Sequence, residues 1–110
     1  MEQSVKGNVA SKASLDTYKG PAIVATSARD AIDRVRSNSV LICDMTNVDY
    51  LVAMERAAAF VTATGSILCH AAIVARELRK PCIVAAGTDI LRIENGTQVT
   101  LDLETGELKW

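Results

Sequence analysis

The sequence predicts an α/β fold with parallel strands at its centre. Short apolar runs of strand length alternate with amphipathic helical segments through the middle of the chain, in βαβαβαβ order. Strict polar–apolar alternation takes over near the C-terminus and adds β-ribbon at the ends of that unit. The 110 residues, 49% hydrophobic and 23% charged, suit one domain spanning 1–110 with a core of its own.

The first strand is expected at 22–26, AIVAT, after the breaker pair Gly20-Pro21. A helix follows over 28–36, because Ala28, Ala31, Ile32 and Val35 recur at i, i+3, i+4 and i+7 between charged positions. Ser27 is placed to cap it. Residues 40–43, VLIC, read as a second buried strand. A helix over 48–58 comes next, with Leu51, Met54 and Ala58 as its buried face and Asn47 or Thr46 as its cap. Residues 60–62 form a third strand, 63–68 a polar turn, and 70–79 a helix whose apolar face is Ala71, Val74, Ala75 and Leu78. Pro81 ends that helix, and 82–85 returns as a fourth strand. From 97 to 103, Val99, Leu101 and Leu103 share one face, with turn signals at Asn95-Gly96 and Thr105-Gly106.

Charge and composition exclude several functions. Twelve Lys plus Arg stand against 13 Asp plus Glu, a net charge of -1, which removes the electrostatic case for a nucleic-acid or anionic-membrane partner. No apolar run approaches the roughly 18 residues of a membrane span, and the N-terminal stretch lacks a signal peptide's apolar segment. Cys43, Cys69 and Cys82 are an odd count without C-x-x-C spacing, as in a reduced, cytoplasmic protein. Cys43 and Cys82 sit in apolar strand runs and share no finger-like spacing with Cys69 or His70, so no metal site is expected.

The chemistry concentrates in 62–77, TATGSILCHAAIVARE. His70, the only histidine, stands where a strand and a polar loop hand over to a helix, and Gly65 lets that loop turn tightly. The first turn of a helix presents unpaired N–H groups that favour an anion. A histidine held there is positioned to carry a phosphoryl group on its neutral imidazole, or to act simply as a cap or surface residue. Cys69 is expected to cap or pack rather than react, and it points away from His70 on a helix. Thr62 and Thr64 flank the loop, where they would bond phosphoryl oxygens, orient the imidazole or end the strand. Arg76 lies six positions after His70, about 240° round the helix, so a structural pairing, for instance with a carboxylate near the sheet, is favoured over phosphate contact. Glu77 belongs on the solvated or pairing face.

The segment resembles the phosphohistidine motif of the mobile, or swivelling, domain of phosphoenolpyruvate-utilising enzymes, T-x-x-G-G-x-x-[SC]-H-A-A-I-x-A-R-E-L-x-x-P. Thr62, Gly65, Cys69, His70, Ala71, Ala72, Ile73, Ala75, Arg76, Glu77, Leu78 and Pro81 carry the match. Upstream, Thr46, Asp49, Tyr50, Met54, Ala57 and Ala59 are similar to the synthase-type pattern T-x-P-D-Y-x-x-x-M-x-x-A-x-A. Gly7, Ala10, Ser11 and 20–22 resemble the domain's opening, and Gly96, Val99, Asp102 and Gly106 its closing hairpin.

The resemblance implies a three-layer β/β/α swivelling fold with a phosphorylated histidine at a helix mouth. It implies a phosphocarrier that takes a phosphoryl group at one site and donates it at another, with Nε2 as the favoured acceptor. On that pattern Thr62, Thr64, Gly65, Ser66 and Cys69 position the loop and the phosphate, while Arg76 and Glu77 are structural. The partners implied are an ATP-grasp-type nucleotide-binding domain and a phosphoenolpyruvate- or pyruvate-binding domain, in cis or in trans. ATP, phosphoenolpyruvate and Mg2+ belong to those partners and no cofactor to this domain. The chain would then be a phosphotransferase component rather than a complete enzyme. It departs from the pattern at Ser66, in place of the second glycine, at Lys12-Ala13 for Pro-Gly, at Val48 for proline, and at Ala86 for glycine. A serine strains the loop if its position needs a positive φ, and otherwise offers phosphate a hydrogen bond. Two other readings keep the fold without the chemistry: a non-phosphorylated binding or regulatory module, and a structural swivel in an unrelated hydratase-like enzyme.

Overall fold

The computed structural model describes residues 2–110. Its strands are β1 (Ser4–Lys6), β2 (Asn8–Ser11), β3 (Thr17–Val24), β4 (Val40–Cys43), β5 (Ala59–Thr62), β6 (Cys82–Val84), β7 (Gln98–Asp102) and β8 (Glu107–Lys109). Its helices are α1 (Ala28–Arg34), α2 (Leu51–Arg56) and α3 (His70–Leu78), with 3-10 turns at Val48–Tyr50 and Thr88–Arg92. The strand order is β1-β8-β7-β3-β4-β5-β6-β2. Strands β3 to β6 run parallel, joined by the three helices, while β7, β8 and β1 form an antiparallel ribbon on one side and β2 an antiparallel edge on the other.

The alternation of side chains along the parallel strands builds two cores. Val40, Ile42, Val61 and Ile83 pack with Val99, Leu101 and Leu108 of the ribbon. Leu41, Cys43, Phe60, Cys82 and Val84 point the other way, against Ala31, Met54, Ala71 and Ala75 of the helices. The result is the expected β/β/α layering, with strands β4 to β6 buried on both faces. Small residues set the helix distance: Ala31, Ala53, Ala72 and Ala75 are fully buried and let α1, α2 and α3 lie close on the sheet.

Strand β3 corrects one expectation. It begins at Thr17 and runs straight through Gly20-Pro21 instead of starting after them. Thr17 to Pro21 pair with β7, and Ala22 to Val24 pair with β4. The proline falls where the strand changes partner, the place where a missing donor disturbs the ladder least. The segment expected as one helix over 48–58 opens as a 3-10 turn and becomes α-helical only from Leu51 to Arg56. Its buried face is Ala53, Met54 and Ala57, with Tyr50 beneath, while Leu51 is exposed. The tighter opening turn rotates the face away from the register that a uniform 3.6-residue period gives.

Two contacts finish the helical layer. Lys80, just after α3, donates from Nζ to the carbonyls of Met54 (3.0 Å), Glu55 (2.6 Å) and Ala57 (2.6 Å). The first two are C-terminal carbonyls of α2 without intrahelical donors and the third belongs to its C-cap, so the ammonium also meets the negative end of that helix. Burial pulls the Lys80 amine below the usual lysine range. Arg79 ends α3 in the left-handed region at φ 56, its N–H turned back to Ala75 and Arg76.

Candidate functional site

Parallel order places the loops after β4 and β5 side by side at the same end of the sheet. His70, the first residue of α3, is held there half-buried. Thr46, buried in the loop after β4, brings its Oγ1 to 2.8 Å from His70 Nδ1. That bond fixes the plane of the ring and leaves Nε2 as the ring nitrogen without a protein partner among the described residues. His70 lines a cavity of about 300 Å3 with Met45, Thr46, Thr62, Thr64, Gly65 and Cys69.

Thr62 and Thr64 serve the loop backbone. Thr62 Oγ1 donates to the Thr64 carbonyl (2.7 Å), and Thr64 Oγ1 donates to the Asp44 carbonyl (3.0 Å). With Thr64 N–H also on Asp44 (3.1 Å), the β5 loop is stapled to the end of β4. Neither hydroxyl orients the imidazole; Thr46 does. Thr46 falls in the synthase-type pattern and beside a helix start, and the helix cap is Asn47, which accepts from Asp49 N–H at 2.9 Å. A hydroxyl residue just past the strand adjacent to the histidine's own is the signal that marks Thr46.

Gly65 turns at φ 113, and a Cβ there would stand 3.0 Å from Cys69 Sγ, so the position is reserved for glycine. Ser66 lies outside the left-handed region. Its hydroxyl accepts from Leu68 N–H (3.1 Å) and its carbonyl from Cys69 N–H (3.0 Å), which makes a compact turn into α3. The loop therefore holds serine without strain. Strain sits elsewhere: Ala13, in the substituted opening pair, is at φ 52, and Ala85, one residue before Ala86, is at φ 57.

Cys69 is the N-cap of α3 but makes no side-chain cap bond; it packs against the helical core. The amides of the first turn, ahead of Ile73 N–H on the Cys69 carbonyl, are without intrahelical acceptors. Cys43 and Cys82 are buried thiols, each pushed up to about 12 chiefly by desolvation, and stay protonated. Among the described residues no three His, Cys, Asp or Glu side chains are grouped to hold a metal ion. Arg76 reaches the Ala10 carbonyl of β2 at 3.3 Å, a structural contact made to backbone rather than to a carboxylate. Glu77 is exposed. No helix among the described residues is long and apolar enough to cross a membrane.

Residues 35–106 match the model of the mobile domain of PEP-utilising enzymes, PEP being phosphoenolpyruvate. The phosphoenolpyruvate synthase of Deinococcus radiodurans is 41% identical over 78 residues, 71% of this chain and 10% of that protein. That of Pyrococcus furiosus is 45% identical over 71 residues, 64% of this chain and 9% of that protein. The chain thus spans about a tenth of the length of the curated relatives it matches. Among solved structures, an Enzyme I protein aligns with TM-score 0.58 and 24% identity over 70% of this chain and 32% of that one. A chain of Thermococcus kodakaraensis aconitase X aligns with TM-score 0.68 over 96% of both chains, at 15% identity, a likeness of fold alone. The family match covers well over half of the chain and includes both loops that build the His70 site, so this chain belongs to the mobile-domain family of phosphoenolpyruvate-utilising enzymes.

Proposed function

We propose that the chain is a phosphocarrier that accepts a phosphoryl group on His70 Nε2 and passes it to a second site. The observation that carries this reading is the Thr46–His70 pair, 2.8 Å between Oγ1 and Nδ1. With the proton on Nδ1 and donated to Thr46, the neutral imidazole keeps its lone pair on Nε2. That lone pair attacks phosphorus, the P–N bond forms, and the donor's bridging oxygen leaves with the bonding electrons. The Nδ1 proton stays on the ring, whose positive charge offsets part of the phosphoryl charge. Transfer onward breaks the P–N bond and returns the lone pair to Nε2.

The donor and acceptor sites belong to partners, in cis or in trans. A nucleotide-binding domain of the ATP-grasp type and a phosphoenolpyruvate- or pyruvate-binding domain fit the synthase relatives, with Mg2+ held there and the whole in a cytoplasmic setting. The test is phosphorylation of the purified chain by phosphoramidate, or by cell lysate with ATP or phosphoenolpyruvate, followed by intact mass and phosphorus NMR. An acid-labile gain of one phosphoryl group, absent in His70→Ala, is the expected result. No labelling by any donor, while a synthase mobile domain labels in parallel, would reassign the chain to a fold-only module.

A further inference from the structure

A second cavity, of about 600 Å3, adjoins the one that holds His70. Lys6, Gly65, Ser66, Ile67 and Glu104 are among the residues that line it, and Gly65 lines the His70 cavity as well. The turn at Gly65 is thus a wall common to both.

Backbone contacts hold Lys6 beside that wall. Strand β1 ends at Lys6, and Gly7 turns the chain into β2 with its N–H on the Gly106 carbonyl (2.9 Å). A Cβ on Gly7 would stand 2.5 Å from the Val84 carbonyl oxygen and 3.1 Å from Ala86 Cα, so the corner lies against the exit of β6. That exit is bonded in turn to the root of the His70 loop, Ala86 N–H to the Thr62 carbonyl and Gly87 N–H to the Ala63 carbonyl, each at 3.0 Å. The Lys6 side chain is exposed, and among the described residues its amine belongs to no ion pair. Glu107, opposite it in the β1–β8 ladder, is turned to Lys109 at 3.3 Å. Glu104 is the other ionisable residue of the cavity.

A phosphoryl group on His70 brings up to about two negative charges to this end of the sheet. No lysine or arginine lines the His70 cavity itself. Between Arg36 and Arg76 the only basic residue is Arg56, and its guanidinium is turned to the Ile32 carbonyl of α1. Lys6 is therefore the one Lys or Arg that lines either cavity.

We infer that Lys6 is the carrier's own counter-charge, its ammonium reaching over Gly65 to the phosphoryl oxygens once phosphorus is on Nε2. The inference rests on the phosphocarrier reading and deepens it by naming a residue that meets the transferred group from within this chain. Lys6 keeps its proton throughout and neither forms nor breaks the P–N bond. Its charge favours the approach of an anionic donor and holds the bound phosphoryl group as the dianion.

The titration of the phosphoryl group itself reads this effect. Each chain is labelled by phosphoramidate, and the phosphorus NMR shift of the phosphohistidine is followed against pH at low salt. A nearby cation favours the dianion and lowers the phosphoryl pKa, so its removal raises it. Lys6→Met is expected to raise that pKa by about half a unit, and Lys6→Arg to stay within about 0.2 unit of wild type. Lys19→Met, which removes an exposed lysine of β3 away from both cavities, should leave it unchanged. Salt at about 1 M should erase most of the Lys6→Met shift. No shift in Lys6→Met, an equal shift in Lys19→Met, or a shift that Lys6→Arg fails to rescue overturns the inference and leaves the carrier reading in place. A wild-type chain that phosphoramidate does not label removes the carrier reading and the inference with it.

Discussion

Thr46→Val removes one oxygen from a buried site and keeps the side chain's shape. The wild-type hydroxyl lies 2.8 Å from His70 Nδ1, and Thr46 is 8% exposed. A hydrogen bond of this kind contributes about 1 kcal/mol net. On the phosphocarrier reading the Nδ1 proton is donated to Thr46, and this energy then favours the tautomer whose lone pair is on Nε2. Losing about 1 kcal/mol of that preference shifts the tautomer ratio about fivefold and lowers the phosphorylation rate by up to about that factor. The assay is the initial rate of labelling by phosphoramidate, with nitrogen NMR of the imidazole to read the tautomer directly. Thr46→Ser keeps the hydroxyl and is expected to stay within about twofold of wild type. The melting temperature should fall by about 4–8 °C in the valine variant, as for any 1 kcal/mol loss in a domain of this size. An unchanged rate together with an unchanged tautomer ratio in Thr46→Val would refute the reasoning.

Other expectations concern the scaffold. Lys80→Met deprives three carbonyls at the C-terminal end of α2 of their shared donor; the loss, softened because water reaches part of the site, should be about 2 kcal/mol in urea unfolding. Ala85→Gly relieves a left-handed alanine at φ 57 and should raise stability by about 1 kcal/mol, seen as a higher melting temperature. The Asp102 carboxylate accepts N–H bonds from Glu104 (3.0 Å) and Thr105 (3.2 Å), which hold it below the usual aspartate range. Its contribution is therefore present above the ordinary aspartate pKa and lost as pH falls through the lowered one, and Asp102→Asn should flatten that acid-side decline in a pH series of melts.

The departures from the family pattern separate by backbone geometry, which residue types alone do not reveal. Ser66 replaces a glycine yet lies outside the left-handed region, and its hydroxyl joins the turn that leads into α3. Ala13 and Ala85 carry positive φ values of 52 and 57 without the freedom of glycine. A sequence shows that a glycine is gone, but the φ that decides whether this matters is set by how the flanking strands pair.

What was legible in the sequence is what nearby residues impose on one another. The apolar run VLIC at 40–43 reads as a buried strand by its length and composition, and the spacing of Ala71, Val74 and Ala75 as a helix face, and both are so in the fold. The α/β order with central parallel strands follows from that alternation, the β/β/α layering from the family resemblance, and the stretch 69–78 places His70 at a helix start. The tertiary structure alone decided which groups meet across the chain. Thr46 reaches His70 over 24 residues and Lys80 reaches α2 over 23 to 26, because parallel strands set distant loops side by side. Gly20-Pro21 lies inside β3 because that strand changes partners there. Local periodicity determines elements and their buried faces; the pairing of a histidine with its hydroxyl depends on sheet order, which only the packed chain expresses.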